Sequence, residues 1–337
     1  MIRIGLDAMG SDHAPRSEVD GAVLALRELP PTFELQLVGP AAAIEAELSL
    51  HPNLDRSRIS IVDAPEVIGM AERPLEAVRR KRKSSLVVGL DLQGRSQSDG
   101  FISAGNTGAL LAASTLLLGL YAGVERATVA TLLPTVKGPV LLLDAGANVD
   151  CSPKELVGFA HLGSVYMRDL ENRPRPKVGL LNVGEEEEKG TAAVKEAHRL
   201  LSVDQRINYV GNVEGRDILG GHPKHGSLDV VVCDGFVGNV VLKFGESLMY
   251  LVRHVAQDAA PDLWSRDEVR AAFKVLDYSQ YGGAPLLGVR GIAIVCHGSS
   301  NATAIRNAIR VAVQAVEVGL SRHIAAEFAD AEPRSRA

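Results

Sequence analysis

Positive charge is not in excess in this sequence: 36 lysines and arginines against 41 aspartates and glutamates leave a net charge of -5. That balance argues against a general nucleic-acid binder. Cysteine is scarce. Cys151, Cys233 and Cys296 have no zinc-like spacing and cannot all pair within one chain, so a reducing, cytosolic compartment is expected and no metal site is implied. Long apolar runs are missing too. The most apolar stretch, Ala109–Tyr121, falls short of the roughly 20 residues that a spanning helix needs. The opening MIRIGLDAMG starts directly as a strand, with no basic leader. Peripheral contact with a membrane stays open.

What the 337 residues do contain is enough apolar sequence for a large α/β core, as one unit or two intimate lobes. The stretch Leu228–Phe244 shows the plan. Val230–Cys233 clusters β-branched residues like a buried strand, and Val240, Phe244, Leu248 and Leu251 are spaced like one face of a helix. Asp234, Gly235 and Asn239 lie where the strand gives way to the helix. In open α/β sheets that edge holds the ligand, although capping explains the same residue types.

The same arrangement recurs along the chain. Strand Ile2–Leu6 runs into Asp7 and His13 before a helix over Val19–Leu29. Strand Phe33–Val38, helix Ala41–Leu48 and strand Ile59–Val62 follow. Met70–Pro74 then leads into a helix over Leu75–Ser85 that carries Arg79, Arg80, Lys81, Arg82 and Lys83 in succession. Between Glu72 and Lys83 six basic and two acidic side chains leave an excess of +4, either a solvated face or a dock for an acidic or phosphorylated partner. Strand Phe101–Ser103 meets the turn Gly105-Asn106-Thr107-Gly108 and a small-residue helix. Small residues there let backbone N–H groups approach an anion. The pattern is neither a Walker sequence nor a dinucleotide GxGxxG.

Strands Thr128–Leu133 and Val140–Asp144 are separated by Pro134 and Gly138-Pro139, which suggests a hairpin. Asn148 and Asp150 precede Ser152-Pro153, a helix start signal for Lys154–Tyr166. Strand Lys177–Val183 reaches the acid run Glu185–Glu188 and Lys189, a cation suited to a phosphate or developing oxyanion, before a helix over Ala192–Leu201. Strand Ile207–Val210 puts Asn212 and Glu214 at another exit. A helix from Val240 to Ala260 leads to an apolar tip at Leu251, Val255, Leu263 and Trp264, read as core, dimer or lipid contact. Further on come a helix over Asp267–Leu276, a loop Tyr281–Gly288, strand Gly291–Cys296, and His297, Ser299, Ser300 and Asn301 ahead of helix Ala302–Val316. A GxSxG elbow is missing, so a hydrolase triad is not supported. From these residues alone the chain reads as a cytosolic α/β enzyme, a transferase with a polar, phosphate-bearing substrate.

Eight blocks in order carry a resemblance: DAMGSDHAP (7–15), SAGNTGAL (103–110), DAGANVDCSP (144–153), LLNVGEEEEKG (180–190), YVGNVEGRD (209–217), VVVCDGFVGNVVLK (230–243), YGGAPLLG (281–288) and HGSSN (297–301). Together they resemble the bacterial phosphate acyltransferases of phospholipid synthesis, the PlsX family, over almost all of residues 1–328. The family commonly has glycine where Ser11 stands, and fewer acids after Gly184. The resemblance implies transfer of a long-chain acyl group from acyl carrier protein to inorganic phosphate without a cofactor. The acyl phosphate made would serve a membrane-bound glycerol-3-phosphate acyltransferase. It also implies a homodimer, peripheral association with the inner face of the cell membrane, and two intermeshed α/β/α lobes with a mixed sheet and a central cleft. That fold is shared with phosphate acetyltransferase and the isocitrate and isopropylmalate dehydrogenases. Residues 1–328 would form the catalytic unit, 240–285 a helical excursion at a dimer or membrane-facing tip, and 329–337 a flexible tail. Lys189, Asp234, Asn239 and His297 are the expected catalytic residues. Asp7, His13, Asn106, Thr107, Asn148, Asn212, Ser299, Ser300 and Asn301 are expected to bind phosphate or substrate, and Arg79–Lys83 to dock the acidic carrier. A coenzyme-A-dependent phosphate acetyltransferase, a decarboxylating dehydrogenase of the related fold and a non-catalytic interaction protein are the alternatives.

Overall fold

The computed structural model describes residues 1–135, 137–260, 262, 266–269 and 281–329. Leu263 and Trp264, most of the helix expected over Asp267–Leu276 and the tail after Ala329 lie outside these. The chain divides into two compact units, Met1–Ala127 with Gly282–Ala337, and Thr128–Tyr281.

The chain opens with β1 (Ile2–Asp7), α1 (Arg16–Glu28), β2 (Phe33–Gly39), α2 (Ala41–Leu48), β3 (Ile59–Asp63), α3 (Pro74–Arg80), α4 (Ser85–Gly94), β4 (Gly100–Ser103) and α5 (Thr107–Leu117). The second unit follows with β5 (Thr128–Val129), β6 (Thr131–Leu133), β7 (Val140–Leu143), α6 (Pro153–Leu170), β8 (Lys177–Leu181), α7 (Ala192–Val203), β9 (Asn208–Val213), α8 (Gly215–Gly220), β10 (Val230–Val232) and α9 (Gly235–Ala259). The chain returns to the first unit with β11 (Ala284–Leu287), β12 (Ala293–Val295), α10 (Ala302–Glu317) and α11 (Leu320–Ala329).

In the first unit the strand order β3-β2-β1-β4-β12-β11 places β4 and β12 beside β1. All these pairings are parallel except β11 with β12. Leu35, Leu37, Ile4, Leu6, Phe101 and Ile102 are fully buried, as strands covered on both faces require. Helix α1 lies against α10 at close range, because a Cβ on Gly21 would stand 2.5 Å from Ile305 Cβ. In the second unit the order is β6-β7-β10-β8-β9, parallel but for the hairpin of β6 with β7. Val140–Leu143 and Val230–Val232 have no exposed surface.

Several sequence expectations need correction. The helix expected over Leu75–Ser85 stops at Arg80, and Ser84 caps a separate helix α4 by accepting from the Val87 N–H. The five basic residues therefore straddle a turn. The strand expected over Thr128–Leu133 is interrupted at Ala130. Tyr281–Gly288 contains strand β11 where a loop was expected. Strand β9 extends to Val213, so Asn212 lies within it and is not at its exit. Helix α9 begins at Gly235, five residues before the expected start, which puts Asn239 in its first turns.

Candidate active-site edges

The first unit brings three strand exits side by side. Strands β1, β4 and β12 are parallel neighbours, so the turns after Asp7, Ser103 and Val295 emerge at one edge of the sheet. Contacts between the turns fix them. A Cβ on Gly10 would stand 2.8 Å from the backbone nitrogens of Ala104 and Gly105, and Asp12 N–H donates to the Gly298 carbonyl at 2.7 Å. The first approach depends on glycine, because the atoms that a side chain would meet are backbone.

Several expected ligand residues here are spent on holding the turns. Asp7 is buried; its carboxyl accepts from the Met9 N–H at 3.1 Å and the Ser103 hydroxyl at 2.7 Å, and burial raises its pKa. It ties β1 to β4 and offers no face to a ligand. Asn106 caps α5 by accepting from Ala109 N–H at 3.0 Å, while its amide donates to the carbonyls of Met70 and Glu72 at 3.0 and 3.1 Å. Asn301 caps α10, accepting from Ala304 N–H, and Ser300 is buried. The exposed polar side chains at this edge include His13, Thr107, His297 and Ser299. His297 Nδ1 accepts from the Ser299 N–H at 3.2 Å and lies 2.7 Å from Ser299 Oγ. With the Nδ1 lone pair so engaged, the neutral ring carries its proton on Nε2, as a hydrogen-bond donor.

The second unit repeats the device at the exits of β7, β10, β8 and β9. Asp144, directly after β7, accepts from the backbone N–H groups of Val129, Ala147 and Asn148 and from the Asn148 side chain, at 2.6–3.1 Å, and burial raises its pKa. Asn148 is thus an anchor within the turn. Its carbonyl in turn accepts from Gly235 N–H at 2.7 Å, seating the β10–α9 turn on the β7 turn. Asp234 caps α9, accepting from Val237 N–H at 2.9 Å. Asn239, one turn on, is exposed and lies against Gly146. Asn212 is buried, and its side-chain amide donates to the Glu186 carbonyl, bracing the 184–190 loop from below. Lys189 stands exposed in that loop, its carbonyl accepting from Asn182 Nδ2.

A cavity of about 530 Å³ beside β9 is lined by Glu185, Glu186, Glu187 and Glu214, with Lys224 and Arg216. Lys224 pairs with Glu185 at 3.2 Å and Arg216 with Glu214 at 3.0 Å. The carboxylates outnumber the cations and already hold them, so this cavity disfavours a phosphate.

A family model described as a fatty acid synthesis protein matches residues 2–323. The phosphate acyltransferase of Desulforamulus reducens is 48% identical over 328 residues, covering 95% of each chain, and that of Heliobacterium modesticaldum is 47% identical over 324 residues, covering 94% of each. This chain belongs to the phosphate acyltransferase family. It is an acyltransferase. Its α/β fold with mixed sheets resembles that of a phosphotransacetylase from Streptococcus pyogenes, with a TM-score of 0.65 at 14% identity over 94% of each chain.

Within this phosphate acyltransferase the cysteines are poor nucleophiles. Burial pushes Cys151 and Cys296 up to about 12 and raises Cys233 well above its ordinary value, so the thiolate that would accept an acyl group is scarce near neutral pH. The basic segment is also smaller in effect than its sequence suggests. Glu72 binds Arg80 at 2.7 Å and Lys81 as well, and the hydrogen bond from Lys81 leads in holding its carboxyl down to about 2. Arg79, Arg82 and Lys83 stay exposed. Among the described residues no helix is long and apolar enough to cross a membrane.

Proposed function

We propose that this enzyme transfers a long-chain acyl group from acyl carrier protein to inorganic phosphate. The observation that carries the reading is the first unit's edge. There the starts of two long helices, α5 and α10, stand beside exposed Thr107, His297 and Ser299. Phosphate bound there needs no strong general base, because it already carries negative charge near neutral pH. Its oxygen attacks the thioester carbonyl carbon, the C–O bond forms, and the carbonyl becomes an oxyanion. Collapse breaks the C–S bond, and the carrier thiolate leaves and takes up a proton. Donors aimed at the oxyanion lower this barrier. His297 Nε2–H is one such donor. Lys189, exposed in the 184–190 loop, is the cation that offsets developing charge, and Asp234 and Asn239 keep the β10–α9 turn in place. The raised thiol pKa values favour this direct route over an acyl-cysteine intermediate.

Incubation with palmitoyl carrier protein and phosphate is expected to yield acyl phosphate and free carrier, with acetyl-coenzyme A a poor substitute. Fast turnover of acetyl-coenzyme A and none of the carrier substrate would move the reading to phosphate acetyltransfer.

The carrier is acidic, and Arg79, Arg82 and Lys83 supply the unpaired charge for its dock. Reversing these three to glutamate is expected to raise the carrier KM about tenfold and flatten its salt dependence. The reaction run backwards from acyl phosphate with a small thiol acceptor should keep its rate. An unchanged carrier KM would leave the segment a solvated turn. Val240, Phe244, Leu251 and Val255 on α9 are exposed, which supports a homodimer or peripheral contact with the membrane holding the acyltransferase that consumes acyl phosphate.

A further inference from the structure

We propose that Glu18 is a positioning residue that sets the affinity for phosphate through the Ser11 turn; this rests on the reading that the first unit's edge binds phosphate. Glu18 lies in the first turn of α1 and has no exposed surface. Its Oε1 accepts the Ser11 N–H at 2.7 Å, and its Oε2 has neither a partner nor contact with solvent. An ionised carboxylate with one oxygen stranded in this way is costly. The neutral acid answers that cost, and burial pushes the group up to about 7.

From Ser11 the connection reaches both turns of the edge. Ser11 Oγ accepts the His13 N–H at 3.3 Å, and the next residue, Asp12, donates its N–H to the Gly298 carbonyl, between His297 and Ser299. Glu18 thus holds the amide at the base of the turn that carries His13 and braces the 297–301 turn, while its own carboxyl stays out of reach of a ligand. Without Glu18 the Ser11 N–H loses a buried partner, and the turn must move to find water. The pairing also explains how serine is accepted where the family commonly has glycine. Ser11 does not adopt a positive φ, and its N–H is taken by a side chain that the helix supplies.

Ionisation of Glu18 would add a second effect, since a negative charge beneath the edge repels phosphate. The titratable groups felt by Glu18 are Asp7 at the end of β1 and Cys296 after β12, while Arg306 of α10 is engaged by Glu28 at the far end of α1.

The test compares Glu18→Leu with Glu18→Gln, which keeps an acceptor for Ser11 but cannot ionise. Glu18→Leu is expected to raise the phosphate KM about tenfold with kcat changed less than about twofold, and to speed hydrogen exchange at the Ser11 amide. Glu18→Gln should restore both. The ratio of wild-type to Glu18→Gln phosphate KM should rise as pH climbs through about 7, a comparison that cancels phosphate's own titration. A phosphate KM unchanged in Glu18→Leu, or a Glu18→Gln protein as impaired as Glu18→Leu, overturns the inference. Thr107→Val and Ser299→Ala test the phosphate site separately. If they raise the phosphate KM while Glu18→Leu does not, the site stands and the role of Glu18 falls.

Discussion

A Gly238→Ala protein is expected to lose about 3 kcal/mol of stability, at the upper end for an overpacked site. A Cβ there would stand 1.8 Å from the Asp144 carbonyl oxygen and 3.1 Å from Cys233 Sγ. The closest obstacle is backbone, so no side-chain rotamer relieves it. Nor is the helix free to retreat. Gly235 N–H is bonded to the Asn148 carbonyl, and Asp234 caps the same first turn. Moving α9 outward would also loosen the turn in which Asp144 collects its donors, and a buried carboxyl stripped of hydrogen bonds costs more than the contact itself. Gly245→Ala on the same helix is the control. Its Cβ meets nothing within 4 Å, so the gain in helix propensity should dominate, at up to about 1 kcal/mol. Urea midpoints read the difference. Equal midpoints for the two variants would mean that the close seating of α9 on the β7 turn is wrong.

That seating marks the boundary of what the sequence discloses. The strands were legible because Val140–Leu143 and Val230–Val232 are short apolar runs between turn residues, and the β6–β7 hairpin because Pro134 and Gly138-Pro139 interrupt them. The start of α6 was legible from Ser152-Pro153, which closes a full capping box with Glu155. The end of α3 was not. It depends on Glu72 seizing Arg80 and Lys81, a contact between residues that helical periodicity does not relate. Tyr281–Gly288 looked like a loop because of its glycines and proline. Gly282 and Gly283, at φ +82°, do supply a turn, but Ala284–Leu286 then pair with β12.

For the site, position was legible and availability was not. Asp7, Asn106, Asn148, Asp234 and Asn301 do stand at strand exits. Yet Asp7, Asn106, Asp234 and Asn301 each give a side-chain oxygen to a backbone N–H of their own turn or the helix they begin, and Asn148 spends its amide on the Asp144 carboxylate. Capping residues and ligand residues are drawn from the same short list of types, and only distances separate them. Glu18 is the opposite case. Its spacing puts it on the buried stripe of Gly21, Ala22, Ala25 and Leu26, but only distances reveal that it accepts the Ser11 N–H there.

His297→Ala is expected to lower kcat about 100-fold with a smaller change in phosphate KM, the pattern of a group that acts when charge develops. The reasoning starts from the hydrogen bonds at Nδ1. They fix the tautomer, so Nε2 carries the proton and serves as the donor where the carbonyl oxygen becomes an oxyanion. Ser299→Ala removes the hydroxyl contact but keeps the backbone N–H that binds Nδ1, so its effect on kcat should stay within about tenfold. His297→Gln supplies an N–H at a similar reach and should recover part of the loss. Lys189→Met gives the contrast, since a long-range charge and a directed donor fail differently. The deficit from losing the charge should be largest at low salt and shrink as salt rises and screens it. A His297→Ala enzyme within about threefold of wild-type kcat, beside a Lys189→Met enzyme that has lost turnover, would transfer oxyanion stabilisation to the second unit's edge.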